Sequence, residues 1–463
     1  MCTTGDESFP PYQKIWSTGS DPAKLCPMAN PQRPRCVVLG LDGLPFSVAQ
    51  SLGSSGKFSN LARLSLSAQA RALRAELPEL SPVNWTSFYT ASGPEAHGVF
   101  GFTAIDPATY QLRIADFTQV QAQTIFDCLG QKGLMSKVIN LPNTYPARAV
   151  RGMLIAGFVA PELESAVYPR VLAGMLASKG YKLEADTERG RTNYNLLLTE
   201  LGATLDSRRM ALDMLWPDLA WDLFVFVLTE TDRLGHFLFP AIVDVHDLWH
   251  GPVMDLLHKW DLLIGEVLDR YDALPEPKRL LVLADHGFTH LETEVDVNVW
   301  LHRTDYLILA RRPEHELDAS CIDAESSALA LDPGRIYIHD QARFSRGKVP
   351  PAQANTLREE IRTGLLELTW QGRPVMAEVH RGEELYPGSK LVMVPDLVCS
   401  PNPGFDLKAK FDRNEIFGFF GRRGMHTADD VFCYDSKGVR IDRVRDVGRE
   451  VLEFFEGSQK IMV

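Results

Sequence analysis

The sequence predicts an α/β protein: a mainly parallel central sheet flanked by helices, with inserted cap segments. Three observations carry this reading. Short continuous apolar runs (CVVLGL, KVINL, DLFVFVL, RLLVLA) recur along the chain, as strands buried on both faces do. Segments with apolar residues spaced by three and four, near 57–66, 122–132 and 252–271, alternate with them and read as covering helices. The apolar runs also end in polar turn sequences, Asp42-Gly43, Pro142-Asn143, Thr229-Glu-Thr-Asp232 and Asp285-His286-Gly287, where a buried strand would surface into a loop.

Composition narrows the class. With 45% hydrophobic and 23% charged residues over 463 positions, the chain can bury a large core, and one α/β core with insertions fits its length. A formal net charge of −12 argues against a broad nucleic-acid or anionic-membrane surface, although a local pocket for a phosphate is compatible with it. The seven cysteines are odd in number and form no C-x-x-C pair, which fits a reducing compartment rather than a disulfide framework. The N-terminal stretch has no apolar h-region, and no later run approaches the roughly 18 apolar residues of a membrane span. The expected location is cytoplasmic, away from membranes.

In chain order, residues 1–33 are rich in Pro, Ser, Thr and Gly and lack periodicity, so an irregular arm is expected there. A single domain follows over 34–463. Its first strand carries Cys36, read as packing, and ends at Asp42. The segment LSPVNWTSFYTASGPEAHG (80–98) predicts a helix beginning at Ser81-Pro82, with Trp85, Phe88 and Tyr89 on its buried face. Two intervals of weaker periodicity, about 101–220 and 288–425, are expected as cap insertions over the sheet's C-terminal edge. The first includes a helix near 194–215; the second includes the strand-like RIYIH (335–339) and a helix at 352–368. No fixed-period repeat is present.

In an open α/β sheet, ligands gather beyond the carboxyl ends of the strands. Asp42, Asp232 and Asp285 each stand at such an end. One acid there is commonly only a turn or cap residue, but three together are harder to dismiss. Asp232 and His236 in TETDRLGHF are four apart, so on a helix both can face one ion; equally, a histidine beside an aromatic can be a plain core residue. Asp285-His286 offers oxygen and imidazole together, a set suited to zinc, manganese or iron. His426, in RRGMHTADDVFCY, is a weaker candidate on its own. Ser81 is either an ordinary helix cap or a nucleophile at a helix N-terminus, where unpaired N–H groups favour a phosphoryl group.

The order LGLDGL, SPVNWTSFYT…PEAHG, TDRLGH, ADHGF and GMH resembles the type I phosphodiesterase/nucleotide pyrophosphatase branch of the alkaline phosphatase superfamily. The segments NLPNTYPARAVRGMLIAGF (140–158), GRIYIHDQARFSRGKV (334–349) and EVHRGEELYPGSKLVMVPDLV (378–398) are similar to a prokaryotic group of that superfamily described as predicted phosphohydrolases or phosphomutases. The likeness spans roughly residues 35–440. It implies that Asp42, Asp285, His286 and the Ser81 oxygen hold one divalent metal ion, and that Asp232, His236 and His426 hold the other. Zinc is expected first and manganese second. His97 matches the family's His-Gly and is expected to anchor the turn after the helix; His290, four after His286, is expected outside the ligand set. Two departures stand out: serine at position 81 where the nucleotide pyrophosphatases commonly have threonine, and Thr90-Ala91 where Thr-Gly is usual.

The resemblance thus implies a phosphodiesterase acting on a small-molecule phosphate ester through a covalent intermediate on Ser81. A phosphomonoesterase, a phosphotransferase or phosphomutase, or a catalytically silent binding protein on the same fold are the alternatives. Asn84, three residues after Ser81, is expected on the same helix face. In the resembling diesterases an asparagine donates to a non-bridging phosphoryl oxygen; the other reading is that Asn84 satisfies backbone at the helix start.

Overall fold

A computed structural model describes residues 33–461. The arm expected over 1–33 falls, except for Arg33, outside the described residues. Eight strands form the central sheet, in the spatial order Ala70–Leu73, Val431–Asp435, Lys278–Leu283, Arg35–Leu41, Leu223–Leu228, Ser136–Leu141, Gly152–Ala156, Val167–Tyr168. From Lys278–Leu283 to Gly152–Ala156 the neighbours pair in parallel. The outer pairings are antiparallel.

The interior strands are buried along their whole length because both faces are covered, which is why they read as unbroken apolar runs. Helix His250–Asp272 buries Val253, Leu256, Leu257, Trp260, Leu263, Ile264, Val267 and Leu268, a stripe at three- and four-residue spacing, and packs beside helix Tyr194–Leu215. All parallel strands leave their carboxyl ends at one edge, and that edge carries Asp42, Asp285 and the start of helix Glu230–Val243.

The two intervals expected as caps differ in kind. Within 101–220, strands Ser136–Leu141, Gly152–Ala156 and Val167–Tyr168 belong to the central sheet and helix Tyr194–Leu215 covers it, so most of that interval is part of the main layer structure. Its hairpin Thr103–Ile105/Leu112–Ile114 alone leans on the second core, through Ile105 and Tyr110. The 288–425 interval does build a separate apolar core. It surrounds an antiparallel sheet of Ala328–Leu331, Arg335–Ile338, Leu397–Pro401 and Met376–Arg381, backed by helices Val297–Arg303 and Pro351–Leu366.

Helix Ser81–Thr90 is buried at every residue, between the sheet and the C-terminal helix Val444–Ile461. It ends at Ala91, which adopts the left-handed conformation (φ 49°) that favours glycine. A Cβ there costs about 1 kcal/mol relative to glycine. Thus the Thr-Ala departure leaves the helix end in the geometry a glycine would take. His97 donates from Nε2 to Ser87 Oγ at 2.9 Å and accepts the Val99 N–H at Nδ1 at 3.1 Å, which locks the turn after the helix.

Candidate metal centre

Helix Ser81–Thr90 starts one residue earlier than a capping serine would require: Leu80 is the N-cap, and Ser81 is the first helical residue and makes no capping bond. Its hydroxyl is therefore not consumed by the helix. Ser81 Oγ lies 3.2 Å from His286 Nε2.

Around it the fold assembles two donor groups. Asp42, Asp285 and His286 form one, and Asp232, His236 and His426 the other; within each, the donor atoms all lie within 4.8 Å of one another. Asp42 and the Asp285-His286 pair come from adjacent parallel strands, so the strand register sets them side by side. Asp232 and His236 share the first turns of helix Glu230–Val243, before its break at Leu238. His426 arrives on the strand Gly424–Thr427, distant in sequence, which pairs antiparallel with Gly287–His290 and sets His426 opposite Phe288. Asp232 joins the groups: its Oδ1 lies 3.2 Å from His426 Nε2, 3.4 Å from His236 Nε2 and 3.6 Å from His286 Nε2.

These contacts are not ordinary hydrogen bonds. Asp42 Oδ1, Asp232 Oδ1 and Asp285 Oδ2 are buried and accept no well-angled hydrogen bond among the described residues. His236 Nε2 and His426 Nε2 face each other at 3.1 Å, and the rings of His286 and His426 stack at 3.6 Å. Buried carboxylate oxygens without hydrogen-bond partners, converging with imidazole nitrogens, fit cations, and the mixed nitrogen and oxygen donors suit zinc or manganese.

The surrounding side chains orient the donors. His426 Nδ1 donates to Glu79 O at 2.9 Å and His286 Nδ1 to Gly287 O at 3.1 Å, which leaves each Nε2 as the free lone pair. Trp85 Nε1 donates to Asp42 Oδ2 at 3.2 Å, and the Gly43 N–H to Asp285 Oδ1 at 3.1 Å. Arg233 binds Asp232 Oδ2 and reaches Glu184 at 3.3 Å, with its guanidinium over the Phe158 ring. Neither Trp85 nor Arg233 was singled out from the sequence as a supporter of the site. Arg233 directly follows Asp232, and that adjacency was the available signal.

Electrostatics follow from this burial. Desolvation, then the charges of Asp285 and Asp232, holds Asp42 well above the usual carboxylate range; desolvation and Asp232 push Asp285 up to about 6. Burial acts the same way on Asp232, yet His236, His426 and Arg233 outweigh it and draw that carboxyl well below the usual range. Burial keeps His236, His286 and His426 below their ordinary value, in the neutral form that ligates metal.

Asn84 is not brought to this centre. Its Oδ1 accepts the Glu76 N–H at 2.6 Å, and its amide hydrogens go to Glu76 O and Leu80 O, both at 3.2 Å. No donor remains for a phosphoryl oxygen. The reason is the backward tilt of helical side chains, which lays Asn84 over the preceding loop 76–80. Asn84→Ala is expected to destabilise the fold by about 2–3 kcal/mol, since it strands the buried Glu76 N–H. It should lower kcat/KM by less than about tenfold with both metals retained, measured by denaturant unfolding and steady-state kinetics. A hundredfold kinetic loss at unchanged stability would restore the phosphate-donor role. His290 is exposed and stands outside the donor groups, and buried Cys36 has its thiol pushed up to about 12 by burial, which suits packing.

The pocket beside Ser81 and the Asp232, His236 and His426 group is also lined by Arg233, by the aromatic Phe102, Phe158 and Phe237, and by Asp406, Leu407, Lys408 and Arg422. Among the described residues no helix is long and apolar enough to cross a membrane.

Comparison with known proteins bears on this arrangement. A family model described as type I phosphodiesterase/nucleotide pyrophosphatase matches residues 36–427. No curated relative matches the sequence. Among solved structures, phosphonoacetate hydrolase from Sinorhizobium meliloti 1021, in complexes with phosphonoformate and with phosphonoacetate, superposes with a TM-score of 0.60 at 15% identity, over 92% of this chain and 95% of that one. Murine ectonucleotide pyrophosphatase/phosphodiesterase 5 gives 0.52 at 13% identity, over 91% and 95%. At these identities the likeness is one of fold.

Proposed function

Because the chain belongs to the type I phosphodiesterase/nucleotide pyrophosphatase family of the alkaline phosphatase superfamily, whose members hydrolyse phosphoric esters, we propose that it is a two-metal phosphodiesterase working through Ser81. The observation that carries this reading is the Ser81 hydroxyl, first in a buried helix, free of any capping bond and set against His286 beside both donor groups. Asp42, Asp285, His286 and Ser81 would hold one divalent cation, and Asp232, His236 and His426 the other, with zinc the first choice and manganese the second. When bound, the cations supply Lewis acidity that offsets the negative charge building on the phosphoryl, attacking and leaving oxygens.

The chain's own residues do the rest. The partly positive N-terminus of helix Ser81–Thr90 favours an oxyanion beside Ser81. The Ser81 hydroxyl gives up its proton as Oγ attacks phosphorus, the bond to the first alcohol breaks with its electron pair, and that alcohol takes up a proton, so no net proton is exchanged in the step. Water then cleaves the phosphoryl–serine ester and returns the hydroxyl. Arg233 keeps Asp232 oriented, and Phe102, Phe158 and Phe237 offer apolar surface to the ester's alcohol portions.

A diester suits the charge balance. Arg233, whose guanidinium contacts the donor carboxylate Asp232, is already engaged by Asp232 and Glu184, so it is not free to offset the second charge of a monoester. With zinc- or manganese-loaded protein, bis(p-nitrophenyl) phosphate is expected to exceed p-nitrophenyl phosphate in kcat/KM by more than about tenfold, on the scale of one charge-assisted contact. A monoester preference would put phosphomonoesterase or phosphotransferase first. Failure to cleave any ester by protein carrying both metals would sink the reading.

A further inference from the structure

Three cationic side chains line the pocket: Arg233, Lys408 and Arg422. Two of them are matched. Arg233 binds Asp232 and Glu184, and Lys408 Nζ lies 2.7 Å from Asp406 Oδ2. Arg422 differs. Its nearest carboxylate is that same Asp406 oxygen, at 3.9 Å, and among the described residues it donates no hydrogen bond. Its side chain is 39% exposed, against 11% for Arg233, so it stands toward the mouth.

The backbone holding Arg422 is nonetheless fixed. The next residue, Arg423, donates its N–H to His236 O at 2.8 Å and its guanidinium to Asp247 at 3.2 Å, away from Arg422's task. Gly424 sits so close to the ligand helix that a Cβ would meet Gly235 O at 2.2 Å. The loop is therefore clamped to the helix that carries Asp232 and His236, and Arg422 is held at a set place beside that donor group.

We propose that Arg422 is a specificity-determining residue that receives an oxyanion, carboxylate or phosphate, borne by the alcohol that departs when Ser81 attacks. This rests on the reading of Ser81 and the two donor groups given above. Ser81 touches His286, so an in-line displacement sends the departing oxygen to the opposite side, toward the group that Ser81 does not touch. That is the group Arg422 flanks. In the step, the Ser81 hydroxyl loses its proton as the Oγ–P bond forms, the P–O bond to the alcohol breaks with its electron pair, and the alcohol oxygen gains a proton; the distal oxyanion stays on the guanidinium fork throughout. A planar guanidinium with unused donors matches carboxylate or phosphate in two parallel hydrogen bonds, and the apolar Phe237 and Met425 in the same pocket lining suit the carbon skeleton between the ester and that anion.

The test uses three methyl aryl phosphodiesters whose leaving phenols carry a 4-carboxylate, a 4-phosphono group or a neutral 4-methoxycarbonyl group. Intrinsic reactivity cancels when the parent is compared with Arg422→Gln on each substrate. The variant's loss in kcat/KM is expected to be about 10- to 100-fold larger for the charged leaving groups than for the neutral one, with Arg422→Lys recovering part of it; which charged arm loses more identifies carboxylate or phosphate as the match. Calorimetry of 4-carboxyphenylphosphonate and phenylphosphonate binding provides a readout independent of turnover, and the variant should weaken the first selectively. Equal losses on all three diesters and both phosphonates overturn the inference while leaving the proposed function intact. A parent protein carrying both metals that cleaves none of the diesters overturns the reading of the centre and this inference together.

Discussion

Replacing Ser81 with alanine is expected to lower turnover of any phosphate ester by at least about 10⁴-fold, because removal of an essential nucleophile leaves only binding and charge stabilisation behind. The fold and the metals should survive the change. Ser81 makes no capping bond, its hydroxyl has His286 as its one hydrogen-bond partner among the described residues, and six other side chains remain as donors. The variant should therefore unfold at nearly the parent's denaturant midpoint and retain two equivalents of metal. Rapid quenching of the parent with substrate should leave phosphorus on the peptide that contains Ser81, and the variant should show none. A residual rate above about one tenth of the parent's would remove Ser81 from the mechanism. Thr86 and Ser87 do not replace it easily, since Thr86 Oγ1 is bonded to Tyr89 and Asn143, and Ser87 Oγ to Val83 O and His97.

Asp232→Asn is the substitution expected to harm the metal centre most. The Asp232 Oδ1 atom faces three imidazole nitrogens from both donor groups, while Oδ2 is held by Arg233. Asparagine keeps the shape but removes the charge and places an N–H₂ group where one of these oxygens stood. Metal affinity should fall by more than about 100-fold at the Asp232, His236 and His426 group, since even the outer partners of metal ligands cost 10- to 100-fold. Activity should fall with it, measured as kcat/KM at saturating zinc. Uptake should also strengthen as pH rises through about 6 and beyond in the parent, because Asp285, pushed up to about 6 by burial, and Asp42, held well above the usual carboxylate range, must both lose their protons to ligate. The sign follows directly: a raised carboxyl holds its proton at low pH and competes with the cation there.

Much of the fold was legible because its signals are local. The buried strands announce themselves as unbroken apolar runs, and the helices His250–Asp272 and Tyr194–Leu215 lie within a residue or two of the periodicity that predicts them. Pairing order is not local. The sequence marks 137–141 as a strand but not that it lies beside Leu223–Leu228, and so the interval 101–220 reads as a cap although the sheet absorbs most of it. The donor residues were visible as acids at strand ends and as motifs in order, but their convergence spans positions 42 to 426 and only the structure brings them within one cluster. Asn84 was placed on the right helix and the wrong partner, because helical spacing describes a face and not the direction in which a side chain tilts. Arg422 carries no spacing signal at all; its interest lies in having only a 3.9 Å ion pair and no hydrogen-bonded carboxylate among the described residues, a property of its surroundings.

The central claim, that Asp42, Asp285 and His286 with Ser81, and Asp232 with His236 and His426, hold two catalytic cations, is tested most directly by one titration. Protein stripped by a chelator and verified metal-free by elemental analysis is titrated with zinc, and separately with manganese, while bound metal and diester hydrolysis are measured on the same samples. The account predicts no activity without metal and a rise that reaches its plateau at two equivalents per chain. Full activity in the metal-free protein, or a plateau at one equivalent with no second ion bound, would contradict it.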